Sequence, residues 1–308
     1  MKHLYLIGCI VLVNILMPFT LTAKPVLFEQ QLNLFSGDTL SLDTLRANKP
    51  VYLKFWASWC KPCMQEMPHL QHSYIEYADK IQVVAVNIDI NETRQDINKV
   101  IEKFSLTVPI ALDTDGLLAK TYNFIGTPYH ILINGKGEVV HKSHKADETL
   151  DRRMRILASE NMNNLPQVSL LDAQGNKTLF DDGLRDNAVL LFTATWCDWY
   201  LADTRPQMSE ACVQGQKNVS QIYTKLPELP IQGIVSHLWT GSKELKEYTQ
   251  KYAIEYPVRI DETGDMFFAY GVKQFPTMII LKDGAEVYRT HDVANSEAVS
   301  KVISTYLN

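Results

Sequence analysis

The sequence predicts an α/β protein made of two tandem copies of one domain, each with a mixed β-sheet and helices on both of its faces. Three observations predict this fold class: the chain repeats itself, apolar β-rich runs alternate with runs of helical spacing, and 46% of the residues are apolar, enough for a packed core. A length of 308 residues is long for one domain and suits two. The net charge of −5 argues against nucleic acid as a partner.

The internal repeat appears at two offsets. A shift of 137 positions superimposes one set of residues, namely Leu53, Phe55, Ala57, Trp59 and Cys60 on Leu190, Phe192, Ala194, Trp196 and Cys197. A shift of 148 positions superimposes a second set, namely Pro109, Asp113, Gly116, Tyr122 and Pro128 on Pro257, Asp261, Gly264, Tyr270 and Pro276. Identities in the same order around a Trp-Cys pair favour a duplication over chance. The difference between the offsets predicts an insertion in the second copy after Cys197, with 225–231 as the candidate place for part of it.

The first copy contains the elements of an alternating α/β domain. Residues 81–88 form a near-continuous apolar run, which is typical of a central strand covered on both faces. A Gly-Lys-Gly turn between two later apolar runs indicates a hairpin. The predicted elements are, in chain order, strand 51–57, helix 60–79, strand 81–88, helix 94–104, strands 129–134 and 138–141, and helix 147–158. A polar stretch at 159–166 that ends in proline predicts the boundary between domains over 24–158 and 163–308.

Residues 1–23 have the pattern of a secretory signal peptide. A basic start is followed by the apolar run 4–19 and then by the small residue Ala23, which suits cleavage. The run has 16 residues, fewer than the ~20 that a membrane span requires. We therefore expect a cleaved leader and export, with an uncleaved anchor or a lipoprotein cleaved at Cys9 as the alternatives. After export an even number of cysteines remains, which permits pairing in an oxidising compartment: Cys60, Cys63, Cys197 and Cys212.

The motif Trp59-Cys60-Lys61-Pro62-Cys63 follows the first predicted strand and opens the first predicted helix. Two cysteines at this spacing form a dithiol that can open and close, which predicts the exchange of electrons between thiols and disulfides. The alternatives are half of a zinc site and a permanently closed structural disulfide. No second Cys-x-x-Cys or Cys/His pair lies nearby in the first copy, so zinc is disfavoured.

These motifs resemble the thioredoxin superfamily, and within it the exported TlpA/ResA-like thiol-disulfide oxidoreductases. The resemblance is carried by four segments: Phe55 to Cys63, Glu66-Met67-Pro68, Gly126-Thr127-Pro128 before an apolar strand, and an opening hairpin at 38–42. It covers residues 27–158 well and 165–308 more weakly. It implies two thioredoxin-like domains, the second one degenerate.

The resemblance implies roles for the residues around the dithiol. Cys60 would attack as a thiolate, which the N–H groups and the positive end of a helix favour, and Cys63, more buried, would resolve the mixed disulfide. Pro128 would be cis and lie opposite the dithiol, where it offers backbone groups to an extended substrate; an ordinary loop proline is the alternative. The implied substrate-binding residues are Trp59, Pro62, Thr127 and Pro128.

Two positions depart from the family pattern. Relatives often carry an acidic or amide residue six positions before the first cysteine, where this chain has Lys54. Its ammonium either favours the thiolate or extends to the surface. The resemblance also implies a buried carboxylate after the central strand that relays protons to the resolving cysteine. Asp89 is the nearest candidate, although it is one or two positions out of register.

The second copy has Tyr200 where the resolving sulfur should be, so it cannot run the same cycle. Three alternatives remain: a disulfide between Cys197 and Cys212, a free Cys197 that senses peroxide or thiols, and inert cysteines in a partner-binding domain. Along one unbroken helix the two cysteines would be about 22 Å apart. A disulfide therefore requires a break in the helix, which Pro206 and the region of Gly215 permit.

The second copy keeps Phe275-Pro276-Thr277 in the place of the substrate-facing loop although its dithiol is lost. That combination suits a docking or shielding module better than a second catalytic centre. His237 is a candidate for a copper site with the two cysteines, and a structural histidine is the favoured alternative.

The sequence thus predicts a periplasmic thiol-disulfide oxidoreductase. Pro62 before the resolving cysteine resembles the reducing members of the superfamily, so we expect a reductase that a membrane electron donor recharges and that acts on protein thiols and disulfides. No organic cofactor and no metal are required, because the two sulfurs hold the redox equivalents. The alternatives are a disulfide oxidase or isomerase and a non-enzymatic binding or assembly factor.

Overall fold

The computed structural model describes residues 31–41, 49–159, 168–180 and 186–307. The leader predicted over 1–23, together with Cys9, lies outside the described residues, as does most of the predicted boundary stretch 159–166. Within the described part of the chain, no helix combines the length and the apolar character that a membrane span requires.

The first domain is built on a seven-stranded mixed sheet. Its strands are β1 (Gln31–Leu34), β2 (Thr39–Ser41), β3 (Val51–Trp56), β4 (Gln82–Asn87), β5 (Ile110–Leu112), β6 (Tyr129–Ile133) and β7 (Val139–Ser143). They lie in the order β2-β1-β5-β4-β3-β6-β7. The strands β3, β4 and β5 run parallel, whereas β6 pairs antiparallel with β3. All six residues of β3 are buried, as a central strand covered on both faces requires.

Among the described residues, five helices accompany the first sheet: α1 (Lys61–Gln65), α2 (Met67–Tyr77), α3 (Arg94–Phe104), α4 (Leu117–Thr121) and α5 (Glu148–Leu157). The predicted strand 51–57 and helix 94–104 are confirmed to within one residue. The continuous helix predicted over 60–79 is wrong, because the chain breaks at Glu66 between α1 and α2. Pro68 in the first turn of α2 has no N–H, and its ring would clash with the carbonyl four residues earlier in an unbroken helix.

The second domain repeats the topology of the first. Its strands are β8 (Ser169–Leu171), β9 (Lys177–Leu179), β10 (Ala188–Thr193), β11 (Ile231–Ser236), β12 (Val258–Asp261), β13 (Thr277–Lys282) and β14 (Ala285–Thr290). Their order is β14-β13-β10-β11-β12-β8-β9, the order of the first sheet taken from its other edge. The strands β10, β11 and β12 are parallel and β13 is antiparallel to β10. The predicted pair of tandem domains is confirmed.

In the described part of the second domain the helices are α6 (Pro206–Lys225), α7 (Ser242–Lys251), α8 (Asp265–Ala269) and α9 (Ser296–Leu307). Helix α2 ends at Tyr77 and α6 ends at Lys225, 148 positions later, so the larger of the two offsets between the copies is already reached there. The inserted residues therefore precede Lys225. The predicted insertion at 225–231 is therefore wrong. Gly215 does not break the helix either, since α6 runs through it. A Cβ at Gly215 would overlap the side chain of Val293, so glycine permits close packing there.

Helix α5 joins the two domains. Its residues Leu150 and Met154 belong to the core of the first domain, whereas Ile156 belongs to the core of the second. The Nε of Arg152 donates a hydrogen bond of 2.8 Å to Oδ2 of Asp265 in α8. One helix thus contributes apolar and charged contacts to both sides of the domain interface.

Candidate active site

The two cysteines of the first domain lie at the carboxyl end of β3, where the chain turns into α1. Cys60 precedes the first residue of α1, and a disulfide joins it to Cys63 with their Cα atoms 5.2 Å apart. The Sγ of Cys60 accepts a hydrogen bond of 3.2 Å from the backbone N–H of Cys63. Cys60 keeps 5% of its surface exposed and Cys63 keeps none. A visiting sulfur therefore has access to Cys60 alone, and the N–H of Cys63 is available to stabilise negative charge on it.

The loop before Cys60 is held by a carboxylate that the sequence reasoning missed. Glu92 accepts hydrogen bonds from the backbone N–H of Ser58, from its hydroxyl at 2.6 Å and from the amide of Asn87 at 3.1 Å. The exposed indole of Trp59 donates a hydrogen bond of 2.8 Å to the carbonyl of Ile90. Nothing in the sequence pattern singled out Glu92, because it is 34 residues from Ser58 along the chain.

The loop before β6 has the backbone that the resemblance implies, since the Thr127–Pro128 peptide bond is cis. Pro128 is buried and Thr127 is half-buried. The carbonyl of Pro128 accepts a hydrogen bond of 2.8 Å from Nδ1 of His144, which anchors the loop. Pro62, inside the dithiol motif, and Ile125, two residues before Thr127, are both exposed. The roles of Trp59, Pro62, Thr127 and Pro128 in binding substrate stay predictions.

Lys54 does not extend to the surface. It is fully buried, and its Nζ donates a hydrogen bond of 2.7 Å to Oε2 of Glu66, the residue between α1 and α2. The same carboxylate lies 3.1 Å from Nε2 of His130 and accepts a bond from the N–H of Ala146. Because a carboxylate only accepts, the His130 proton is on Nε2, and its Nδ1 accepts from the hydroxyl of Tyr52 at 2.8 Å.

This network sets the charges of its members. Burial raises the pKa of Glu66, but the hydrogen bonds from His130, Lys54 and the Ala146 N–H outweigh that effect and hold the pKa at about 2. Burial lowers the pKa of Lys54, and its hydrogen bond to Glu66 opposes the shift. Burial also lowers the pKa of His130. Glu66 is therefore ionised at neutral pH inside the domain that carries the dithiol.

Asp89 is not the buried carboxylate that the resemblance implies. Its side chain is exposed, and its backbone has a φ of 53°, with the N–H bonded to Oδ1 of Asn87 at 2.8 Å. The enclosed carboxylates of this domain include that of Asp113, which is 4% exposed, and that of Glu66, whose backbone N–H donates to the carbonyl of Cys63 at 3.1 Å. The sequence signal for Glu66 was its place in the Glu-Met-Pro segment, three residues after Cys63.

The corresponding place in the second domain carries a different structure. Cys197 and Cys212 are joined by a disulfide with Cα atoms 6.1 Å apart. Residues 196–204 form turns and α6 begins only at Pro206, so the two cysteines do not share one helix. Tyr200, in the place of the resolving cysteine, is half exposed. No three His, Cys, Asp or Glu side chains of the described residues are placed to hold a metal ion, so His237 does not form a copper site with the two cysteines, and its Nδ1 lies 3.2 Å from the carbonyl of Asp261.

Comparisons with known proteins agree with this geometry. A model of the AhpC/TSA family matches residues 22–142. The thioredoxin-like protein YneN of Bacillus subtilis is 35% identical over 126 residues, which are 40% of this chain and 73% of YneN. The thiol-disulfide oxidoreductase ResA of Bacillus thuringiensis is 34% identical over 110 residues, 35% of this chain and 62% of ResA, so the chain spans less than two thirds of ResA.

A crystal structure of StoA from Bacillus subtilis is 32% identical and covers 37% of this chain and 86% of StoA, with a TM-score of 0.34. The matched family segment contains the Cys60–Cys63 pair, Glu92 and the cis Thr127–Pro128 bond. The chain therefore belongs to the AhpC/TSA family of thioredoxin-like proteins, together with relatives that are named thiol-disulfide oxidoreductases.

Proposed function

We propose that this chain is a periplasmic thiol-disulfide reductase that acts on protein disulfides through the Cys60–Cys63 dithiol. The observation that carries the proposal is the difference in access between two sulfurs one helical turn apart, since Cys60 keeps exposed surface and Cys63 does not. The relatives named thiol-disulfide oxidoreductases support the reaction class. The leader pattern over 1–23 supports export.

The reaction begins with the reduced dithiol. The thiolate of Cys60 attacks one sulfur of a substrate disulfide, and the other substrate sulfur leaves as a thiolate that takes up a proton. A mixed disulfide then joins Cys60 to the substrate. The thiolate of Cys63 attacks the Cys60 sulfur, releases the second substrate thiol and closes the Cys60–Cys63 disulfide. Two electrons have moved from the dithiol to the substrate, and an external dithiol must return them.

The reducing direction is supported by Pro62 ahead of the resolving cysteine, as in reducing members of the superfamily. A membrane electron donor that supplies thiols would recharge the site. The second domain lacks a resolving cysteine and keeps a cis peptide bond at Phe275–Pro276. It would bind or orient partners rather than exchange disulfides by the same cycle.

Reduction of insulin by dithiothreitol tests the proposed chemistry. The wild-type protein should accelerate the precipitation of insulin chains, and Cys60→Ser should abolish the acceleration. Cys63→Ser is the matched variant, because it should retain attack by Cys60 and accumulate the mixed disulfide. Equal rates for wild type and Cys60→Ser would overturn the proposal.

The reduction potential of the Cys60–Cys63 couple tests the direction. A reductase should equilibrate near the value of about −270 mV that thioredoxin shows. A potential above about −180 mV would instead identify an oxidase or isomerase.

Export of the Cys63→Ser variant in the native host should leave substrates covalently attached to Cys60. If a Cys60→Ser/Cys63→Ser strain behaves like wild type whereas a deletion does not, the protein is a non-enzymatic assembly factor.

A further inference from the structure

The second domain has an aromatic and acidic pocket of about 350 Å³ beside the place where the first domain has its dithiol. Its walls include three indoles and two carboxylates, those of Trp196, Trp199, Trp239, Glu244 and Glu247. Trp196 follows β10 as Trp59 follows β3, and its Nε1 donates a hydrogen bond of 2.7 Å to the carbonyl of Leu238. The loop after β10 thus has the same arrangement as the loop that carries the dithiol after β3, but in the second domain aromatic rings lie around it.

Two of the three indoles are exposed and at the same time held in place, whereas Trp196 is buried. Trp199 is 61% exposed and Trp239 is 59% exposed. The ring of Trp239 lies edge to face against Trp196 and Tyr200, with centroids 5.5 Å and 5.0 Å away. Trp199 makes the same kind of contact with Tyr200 at 5.8 Å. Rings fixed in this way lose little conformational freedom when a ligand contacts them.

Trp239 adopts a backbone conformation that disfavours a bulky residue. Its φ is 53°, the same value as at Asn91, which is 148 positions earlier and occupies the equivalent place in the first domain. Asparagine tolerates this left-handed region, whereas tryptophan is rarely found there. The fold does not need an indole at this place, since the first copy forms the same turn with Asn91. Such costly placements are typical of functional sites.

The charges of the pocket favour a cation. Glu244 and Glu247 are three residues apart on α7 and both line the pocket. The cation on the wall, Lys251, is paired with Asp198, whose Oδ2 lies 2.7 Å from its Nζ. Lys243, exposed to solvent, reaches Glu247 only at 4.0 Å. Glu244 also accepts a hydrogen bond of 2.9 Å from the backbone N–H of Gly241, which leaves its negative charge in place. Indole faces and carboxylates together attract an organic cation.

We propose that this pocket binds a positively charged side chain, that of arginine or lysine, from a partner polypeptide. A polypeptide is favoured over a free small cation because exposed apolar surface continues beside the pocket at Leu238 and Tyr200, 46% and 50% exposed. A small cation would leave that surface in water, whereas the residues that flank a basic side chain would cover it. The pocket is independent of the Cys60–Cys63 chemistry.

Titration of the full-length oxidised protein tests the proposal, with the indole N–H signals observed by NMR. The probe is acetyl-Ala-Ala-Arg-Ala-Ala-amide, and its neutral control carries citrulline in place of arginine. We expect saturable shifts of the Trp199 and Trp239 signals with the arginine peptide and an affinity about threefold or more weaker with the citrulline peptide. Tetramethylammonium should bind more weakly than the arginine peptide.

Variants assign the effect to the pocket. Trp239→Asn installs the residue that the first domain uses at the same φ, so it removes the indole and preserves the turn. Trp239→Asn and Glu247→Gln should each weaken the arginine peptide about threefold, and Glu228→Gln, on the exposed turn after α6, should not. Should Trp239→Asn fail to fold, as judged by circular dichroism, the exposed Glu247→Gln decides. Absence of saturable shifts, equal affinity for the citrulline peptide, or equal binding of tetramethylammonium alone overturns the proposal.

Discussion

The Nζ of Lys54 lies 2.7 Å from Oε2 of Glu66, in an ion pair between the central strand of the first domain and the residue that separates its first two helices. Lys54 has no exposed surface, whereas 18% of the Glu66 side chain is exposed. A buried ammonium is tolerated only when it is paired, because removal from water is costly for either charge. The pair therefore couples the position of Glu66, and with it the end of α1, to β3.

The ion pair predicts that removing one of its two charges destabilises the first domain more than removing both. Glu66→Gln keeps the shape and removes the charge, which leaves the Lys54 ammonium buried without a counter-ion. We expect a loss of about 3 kcal/mol in the free energy of unfolding of the first domain, measured with urea. The double variant Lys54→Met/Glu66→Gln should recover more than half of that loss, since no buried charge remains. Loss of the same size in the double variant would show that the pairing of charges is not the cause.

Glu92 should act as a positioning residue for the dithiol loop. Glu92→Ala removes the acceptor for the N–H and the hydroxyl of Ser58 and for the amide of Asn87, so the loop that presents Cys60 loses its anchor. Insulin reduction should fall by as much as about 10²-fold. Glu92→Gln, which keeps an acceptor oxygen, should restore part of the rate.

The alkylation of reduced Cys60 by iodoacetamide, followed against pH, separates positioning from general destabilisation. In Glu92→Ala the midpoint of the alkylation profile should move, whereas a variant that is merely less stable keeps the wild-type midpoint at a temperature well below its melting point. An unchanged profile would assign Glu92 to stability alone.

His141 predicts a loss of stability on acidification. Burial, followed by the neighbouring Arg153 guanidinium, lowers the pKa of His141 to about 4, below the value of ~6.5 in an unfolded chain. Above pH ~6.5 His141 is neutral in both the folded and the unfolded state, and it causes no loss in the free energy of unfolding. As the pH falls from ~6.5 towards 4, the unfolded state takes up the proton and the folded state does not, so stability decreases.

The measurement is the free energy of unfolding in urea at pH 7, 6 and 5. His141→Gln keeps an acceptor for Arg153 and removes the titration, so its stability should fall less steeply over this window than that of the wild type. Because burial also lowers the pKa of His130, some slope will persist in the variant. Parallel curves for the two proteins would contradict the assignment to His141.

The disulfide between Cys197 and Cys212 predicts a stabilised second domain. It closes a loop with a sequence separation of 15 residues, for which loop-closure entropy corresponds to about 3 kcal/mol. Cys197→Ala/Cys212→Ala should lose free energy of unfolding of that order, followed by the fluorescence of the tryptophans in this domain. Because these cysteines are buried, alkylation in urea after selective reduction of Cys60–Cys63 counts the free thiols, and it should label two of the four cysteines Cys60, Cys63, Cys197 and Cys212. Labelling of four would show that Cys197 is free to act as a sensor.

The sequence predicted those parts of the fold that depend on neighbours along the chain. The buried strand β3, helix α3 and the duplication follow from local apolar patterns and were confirmed. The short elements β5 and α4 were not predicted, because three and five residues do not establish a period. The break at Glu66 was missed although Pro68 marks it, because the apolar spacing continues across the break.

In the candidate site, too, the sequence predicted some residues and missed others. Cys60 and Cys63 were identified from sequence, because a single turn brings two sulfurs three residues apart within bonding distance in almost any context. The charged groups around them were not. Asp89 was selected by its place after a strand, but it lies on the surface with a left-handed backbone, and the enclosed carboxylates include those of Glu66 and Asp113.

The order of residues by itself therefore determined that this chain has two related domains, the first with a dithiol at a strand end. Those features arise from short-range geometry and hydrophobic periodicity, which a linear pattern displays. Only the tertiary structure decided that Lys54 pairs with Glu66, that Glu92 anchors the dithiol loop, and that indoles and carboxylates form a pocket in the second domain. Each of these contacts joins residues from separate elements that come together only when the sheets form. A local pattern in the sequence does not show which distant residues will be in contact.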